Sequence, residues 1–260
     1  MNLIDVHCHL DGDCYGNMPE LMAKIAAAGV KKIIAVGFDL PSSEFCAKLA
    51  SEYDFCYFTA GFHPTELKKY REGDLKKIAA LAENEKCVAI GEIGLDYHYP
   101  DTDKPLQREM FLKQLQLAHS KKLPVQIHSR DCAEDMLSVL KENKHLLEYG
   151  ALLHCYSHST EIAIELEKLG IYFSFGGTST WSGSKKARRT IAALSEDRLL
   201  TETDSPYLPP KSLYGTFPNT PASIPEILSN MAEVRGLSEE QMADIVWCNA
   251  HRIFKKLKPA

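Results

Sequence analysis

The chain has no CxxC pair, although it carries eight cysteines at positions 8, 14, 46, 56, 87, 132, 155 and 248. Several lie inside apolar runs such as KCVAIGE and ALLHCYS, where a small thiol behaves as a core residue. A reduced cytosolic setting fits this usage. No apolar run approaches the roughly 20 residues needed to cross a bilayer. The N-terminus lacks the basic start, apolar stretch and small-residue cleavage site of a secretory signal. A cytoplasmic protein without membrane attachment is expected. Excess positive charge is missing too: the formal net charge is −5. That excludes a global basic field and tight non-specific duplex binding. A nucleic acid would have to be held by a local positive patch or by metal ions. Nor is there a GxGxxG, a low-complexity linker or an internal repeat.

What is present is an ordinary globular composition, 260 residues with 45% hydrophobic and 25% charged side chains. One domain spanning residues 1–260 is expected. Short β-rich runs recur along the whole length: NLIDVHCH, VKKIIAVGF, FCYFTAGFHP, CVAIGEIG, LPVQIHS, GALLHCYS, IYFSFGG and RLLTETDSP. Amphipathic stretches separate them. In LQREMFLKQLQLAHSKK, Leu106, Met110, Gln114 and Leu117 follow one helical stripe beside Phe111 and Leu115. Strand then helix, repeated with a unit of about 30 residues, predicts a (β/α)8 TIM barrel. Several runs are apolar throughout, as parallel strands buried on both faces require. An open doubly wound sheet is the competitor, and it usually has fewer strands and a Gly-rich phosphate loop. After the eighth run comes a Pro-rich loop, SPYLPPKSLYGTFPNTPASIP, and then two helices that would close the barrel.

Chemistry collects at the ends of these runs. In DVHCH, alternation points Asp5, His7 and His9 to one face and Val6 and Cys8 to the other. An isolated HxH reads equally well as two exposed histidines. The other runs end in His63, Glu92, His128, His154 and Asp204, and a barrel gathers all its strand ends at one mouth. Glu92 follows a buried apolar run, where a carboxylate is costly unless paired or ligated. His98, His119, His145 and His158 fall in loops or helices and read as ordinary polar residues. A single catalytic ion usually takes three protein ligands and keeps a position open. The six candidates His7, His9, Glu92, His128, His154 and Asp204 suffice for two divalent ions bridged by one carboxylate. Imidazole and carboxylate together suit Zn, Mn, Fe, Co or Ni, and Mg with added water, so the identity of the metal stays open.

DVHCHLD, GFHP, AIGEIGLDY, PVQIHSRDC, LLHCYS and TETDSPYL, in this order from end to end, resemble the TatD-like deoxyribonuclease family of the amidohydrolase superfamily. NAHRIF near the C-terminus is similar to that family's closing helix. The resemblance implies a (β/α)8 barrel with one or two divalent metals that hydrolyses DNA phosphodiesters, often as a 3′ exonuclease. It implies that His7 and His9 hold the first ion, Glu92 bridges, and His128 and His154 hold the second. Asp204 would bind metal and orient the attacking water as general base. His63 would face the scissile phosphate instead of the metals, and Arg130 would contact phosphate or substrate. The expected partner is DNA or another phosphodiester, held at single-stranded ends by a monomer.

Two loops depart from the family pattern: Thr65 follows HP, and FPNTPAS keeps Asn219 and Pro221 but carries Pro218 and Thr220 in place of arginine and glutamate. Lys185, Lys186, Arg188 and Arg189 cluster beyond Trp181 and read either as a rim for phosphates or as a solvated helix face. Tyr97, Tyr156 and Tyr207 follow metal motifs and read either as base-stacking rings or as packing of the mouth. A competing enzyme class is the amidohydrolase that cleaves C–N, ester or lactone bonds on the same barrel. Many of those bridge their metals with a carbamylated lysine, where this chain offers Glu92. A scaffold that keeps a metal site without turnover is the remaining alternative. Cys8 is expected to point into the helix layer, away from any metal.

Overall fold

The computed structural model describes residues 1–10 and 12–258. Asp11, which closes the opening motif, lies outside the described residues. Eight parallel strands form one sheet in chain order: β1 (Leu3–Cys8), β2 (Val30–Val36), β3 (Cys56–Ala60), β4 (Cys87–Asp96), β5 (Val125–Arg130), β6 (Ala151–Leu153), β7 (Tyr172–Phe175) and β8 (Leu199–Thr201). The last joins the first through bonds from His9 N to Ser205 O (2.7 Å) and from Asp204 N to His7 O (3.0 Å). The Thr201 hydroxyl adds a bond to Ile4 O at 2.8 Å. The sheet is therefore a closed barrel, in agreement with the strand rhythm.

Helices α1 (Gly12–Tyr15), α2 (Met18–Ala27), α3 (Leu40–Glu52), α4 (Asp74–Leu81), α5 (Lys104–Lys121), α6 (Ala133–Glu142), α7 (Thr160–Glu167) and α8 (Lys185–Ala193) connect the strands. The pair α9 (Ile224–Arg235) and α10 (Glu239–Ile253) follows the Pro-rich loop. Strands β1, β3 and β4 are buried at every position, which accounts for the predominance of apolar residues in them around the few polar groups that serve the mouth. α3 begins with a capping box in which Asp39 accepts from Ser42 N and Ser42 Oγ accepts from Asp39 N, both at 2.9 Å. Asn249 of NAHRIF donates to Glu196 O (2.7 Å) and Leu199 O (2.9 Å), fastening α10 beneath β8. Cys8 is fully buried, with its thiol on Ile34 O at 3.4 Å and the Cys46 thiol of α3 nearby. Among the described residues, no helix is long and apolar enough to cross a membrane.

The strands that carry the late motifs stop earlier than their apolar runs. β6 ends at Leu153 and β8 at Thr201, and the backbone beyond them makes isolated bonds, His154 N to Ile127 O (3.1 Å) and Glu202 N to Phe175 O (3.3 Å). The chemistry-bearing side chains thus sit just past the ladder, on backbone still pinned to it. The α5 stripe needs one correction. Met110, Phe111, Gln114 and Leu115 are buried, but Leu106 is exposed and lines a surface groove beside Pro64 and Tyr99. Gln114 serves as a clamp: its amide accepts from Phe62 N (2.8 Å) and donates to Phe62 O (3.0 Å). Gln107 likewise accepts from Asp96 N (2.8 Å) and donates to Pro64 O (3.3 Å). These two amides fix the ends of β3 and β4, where His63 and Asp96 stand.

Gly94 sets the approach of β4 to β5. Its φ is +147°, and a Cβ there would lie 2.0 Å from His128 O. A side chain would therefore force the two strands apart at the residue that presents His128. Gly94→Ala is expected to destabilise the fold by about 3 kcal/mol in urea denaturation, and to weaken divalent-ion binding. Wild-type stability in that variant would show that the close approach is not required.

Candidate metal centre

Among the described residues, five imidazoles and the four carboxylates Glu92, Asp96, Glu202 and Asp204 converge at the C-terminal mouth of the barrel. Glu92 is at the middle of the cluster, with its side chain 3% exposed. Its Oε1 lies 2.9 Å from His128 Nδ1, 2.8 Å from His154 Nε2 and 3.4 Å from His63 Nε2. Its Oε2 lies 3.6 Å from His7 Nε2 and 3.4 Å from His9 Nε2. Asp204 Oδ1 completes the β1 side, 3.7 Å from His7 Nε2 and 3.6 Å from His9 Nε2. One carboxylate thus turns an oxygen toward each half of the cluster.

The outward ring atoms decide what the inward ones can do. His9 Nδ1 meets Val36 O at 3.0 Å, and a carbonyl only accepts, so His9 Nδ1 carries the proton and Nε2 presents a lone pair. His128 Nε2 meets Asp96 Oδ2 at 2.9 Å, which leaves Nδ1 as the lone-pair atom facing Glu92. His7 Nδ1 meets Gln126 Oε1 at 2.9 Å, and the Gln126 amide is oriented by donating to Val6 O at 2.8 Å. At His154, Nδ1 lies 3.8 Å from Glu202 Oε1; both atoms are buried without a hydrogen-bond partner, while Glu202 Oε2 accepts from Ser174 Oγ at 2.5 Å. In the neutral rings of His7, His9 and His128 the inward nitrogen is therefore a lone pair, and together with His154 Nε2 these atoms lie 2.8–3.6 Å from the Glu92 carboxylate. Such contacts need positive charge, either a proton on the ring or a bound metal ion, and outer carboxylate or carbonyl partners are what metal-bound histidines use.

His63 differs from the other four rings. Thr65 N donates to its Nδ1 at 3.2 Å and the Thr65 hydroxyl lies 2.7 Å away, so the proton sits on Nε2 and points inward. The structure places His63 inside the cluster, grouped with Glu92 and His128, but as a donor and not as a lone pair. Thr65 is what fixes that tautomer.

Charge in the bare protein follows from burial and from these neighbours. Burial lowers His7, and it pushes His63 down to about 3. Burial works against charge at His9, His128 and His154 as well, but the facing carboxylates outweigh it and raise all three. Burial would raise Glu92, yet the imidazoles of His154, His63 and His128 hold it well below the usual carboxylate range. Burial raises Asp204 and takes Asp5 up to about 8. The carboxylates thus favour positive charge on these three rings, a role that divalent ions would fill when bound.

The structure brings together all six ligand candidates named from the sequence. The groups that could each hold an ion are His7 with His9 and Asp204, His63 with Glu92 and His128, and His7 with His154 and Glu202. Glu202, Asp96 and Gln126 were missed. Gln126 and Glu202 each stand two residues before a named candidate, so alternation already aimed them at the barrel interior. Arg130 lines the cleft of about 490 Å³ above the cluster, and it is the one arginine or lysine among the described residues that line it. Tyr97 turns aside to donate to Asp135 Oδ2 (2.9 Å), and Tyr156 is buried edge-on against Phe173. Tyr207 lines the cleft and is 56% exposed. The basic cluster on α8 is divided: Arg188 pairs with Asn230 and Glu233, Arg189 pairs with Glu161, and Lys185 and Lys186 are exposed.

A parallel barrel whose mouth gathers imidazoles around a shared carboxylate defines a metal-dependent hydrolase. The chain matches the family described as TatD related DNase over residues 4–255, and it belongs to that family. It is 38% identical over 254 residues to the uncharacterized metal-dependent hydrolase YabD of Bacillus subtilis, covering 97% of this chain and 99% of that protein. It is 33% identical over 244 residues to the 3′-5′ ssDNA/RNA exonuclease TatD of Cronobacter sakazakii, covering 91% of each. The crystal structure of YJJV, a TatD homolog from Escherichia coli, superposes with a TM-score of 0.91 at 31% identity, covering 97% of this chain and 98% of that one.

Replacing Glu92 with glutamine removes the shared negative charge and turns an amide donor toward protonated or ligating rings. Glu92→Gln is expected to weaken Mn or Zn binding by roughly 100-fold in calorimetric titration, while His119→Ala, on the outer surface, leaves binding unchanged. Equal affinities for the two variants would show that Glu92 is not the shared ligand.

Proposed function

We propose that this protein hydrolyses phosphodiester bonds in single-stranded DNA or RNA, working inward from a 3′ end. The observation that supports this most is the convergence of four inward imidazole nitrogens on one buried carboxylate beside Asp204 and beneath a cleft that carries Arg130. His7, His9 and Asp204 would hold one ion, His128 and His154 the other, and Glu92 both. The donor set fits: two buried orphan atoms, His154 Nδ1 and Glu202 Oε1, lie directly behind it. Bound divalent ions supply Lewis-acid stabilisation of the phosphoryl oxygens and lower the pKa of water.

The protein's own groups divide the remaining work. Asp204 is buried enough for its carboxyl to be raised, and its side chain is 15% exposed at the cleft floor, so it can take a proton from an attacking water as general base. His63 stays neutral and turns its Nε2–H into the cleft, where it can donate to a phosphoryl or leaving oxygen. Arg130 brings a permanent positive charge to the same oxygens, and its guanidinium is steadied 5.9 Å from the Tyr99 ring. Glu202, Asp96 and Gln126 act behind the rings by fixing which nitrogen faces inward.

The alternative, an amide, ester or lactone hydrolase, gains support from the shared barrel alone. No lysine lines the cleft among the described residues, and Glu92 stands where a carbamylated lysine would serve. The discriminating experiment is an activity panel on the Mn- or Mg-loaded protein with single-stranded DNA, RNA, a simple phosphodiester, and amide and lactone substrates. Cleavage of the nucleic acids is expected, and Asp204→Asn should lower turnover by roughly 10²–10⁴-fold with the fold retained. Hydrolysis confined to the amide or lactone substrates would overturn the nuclease reading.

A further inference from the structure

The loop that leads from β8 to α9 exposes more aromatic surface than any other segment described. Tyr207, Tyr214 and Phe217 are 56%, 71% and 63% exposed. They form two pairs. Tyr207 lies 6.2 Å from Phe217 between ring centroids, and Tyr214 meets Trp181 edge-on at 5.3 Å. Exposed rings gathered on one loop mark a surface that has a partner.

This loop is held by its polar groups. Asn219 donates to Tyr207 O (2.9 Å) and accepts from Thr220 N (2.8 Å) and Ser223 Oγ (2.7 Å), and the Tyr15 hydroxyl donates to Asn219 O (2.8 Å). Trp181 Nε1 donates to Pro209 O at 2.9 Å, and Lys211 N donates to Thr180 Oγ1 at 2.7 Å. The rings are thus presented by a pre-organised frame, which reduces the ordering cost of binding.

Charge around the mouth says what the partner is. Across the cleft from Tyr207, the groove running past Tyr99 carries Glu66, Asp101 and Asp103, with Lys68 already drawn onto Asp101 at 3.4 Å. Lys69 is likewise drawn onto Glu66 at 2.6 Å, so the lysines on that side are already engaged by carboxylates. Lys211 lies within the aromatic loop, and Lys185 and Lys186 open the helix just beyond Trp181. His158, bonded to Ser129 Oγ at 2.7 Å beside Arg130, feels the Lys186 charge, which places that lysine on the same side of the mouth. Flat rings with scattered cations and no fixed hydrogen-bond readout are what a single-stranded nucleic acid binds.

We propose that residues 207–217, with Trp181, form a base-stacking platform that receives the unpaired bases of a single strand whose terminal linkage lies over the metal centre. The strand leaves the cleft past Tyr207 and Phe217, with its backbone toward Arg130 and Lys186 and away from the acidic groove. This rests on the phosphodiesterase reading and adds to it the face by which the rest of the chain is held.

The test uses a labelled oligothymidylate and the minimal diester bis(p-nitrophenyl) phosphate. Phe217→Ala and Tyr214→Ala, both at exposed positions, should each raise KM for the oligothymidylate by roughly 5- to 100-fold, while hydrolysis of the minimal diester is unchanged. Fluorescence anisotropy in an Asp204→Asn background should show the same loss of affinity, and Phe217→Trp should restore it. Unchanged KM and affinity in both alanine variants would overturn the platform while leaving the phosphodiesterase reading intact. If the wild-type protein cleaves neither substrate, that reading fails, and anisotropy still decides the platform. Loss of affinity that tracks a change in oligomeric mass would instead make the loop a self-association face and overturn the proposal.

Discussion

A carboxylate buried at the mouth of a closed barrel must be met by positive charge, and the arrangement around Glu92 follows from that constraint. The neutral rings of His9, His128 and His7 spend their N–H groups outward, on Val36 O, Asp96 and Gln126, which leaves Glu92 to be met by added positive charge. In the bare protein the facing carboxylates favour that charge on His9, His128 and His154. Divalent cations would supply it when held by these inward nitrogens and carboxylates. The same cluster is thus a poor place for a neutral core and a good one for a hydrolytic centre.

The rest of the barrel can be read as support for this one cluster. Asp5 accepts from His7 N and Thr203 N, both at 3.1 Å, and so ties β1 to the segment that carries Glu202 and Asp204. Gln107 and Gln114 reach inward from α5 to hold the ends of β3 and β4. Gly94 lets β4 lie against the backbone of His128. A buried amide or carboxylate left without these partners costs about 1–3 kcal/mol. The supporting residues therefore contribute to stability and to ligand placement by the same bonds.

Much of this was legible in the sequence, for a physical reason. A parallel barrel buries both faces of its strands, so its strands are written as unbroken apolar runs, and any charged or imidazole residue at their ends stands out. His7, His9, Glu92, His128, His154 and Asp204 were found that way. Glu202, Asp96 and Gln126 were harder to read because their partners lie on other strands: Gln126 serves His7, and Glu202 serves His154, across the barrel interior. Leu106 misled because helical periodicity shows which stripe faces inward but not where the first turn rises clear of the core. The tautomer of His63 depends on the backbone N–H and hydroxyl of Thr65, a local bond that spacing does not reveal. The division of the α8 basic cluster depends on Asn230 and Glu233 of α9 and Glu161 of α7, which are remote in sequence.

The central claim is that Glu92 is shared between two divalent ions. Anomalous diffraction from crystals of the Mn-loaded protein tests it most directly. The shared-carboxylate reading predicts two separate manganese peaks, one among His7, His9 and Asp204 and the other against His128 and His154, with Glu92 in reach of both. A single peak, or ions seated away from Glu92, would contradict it.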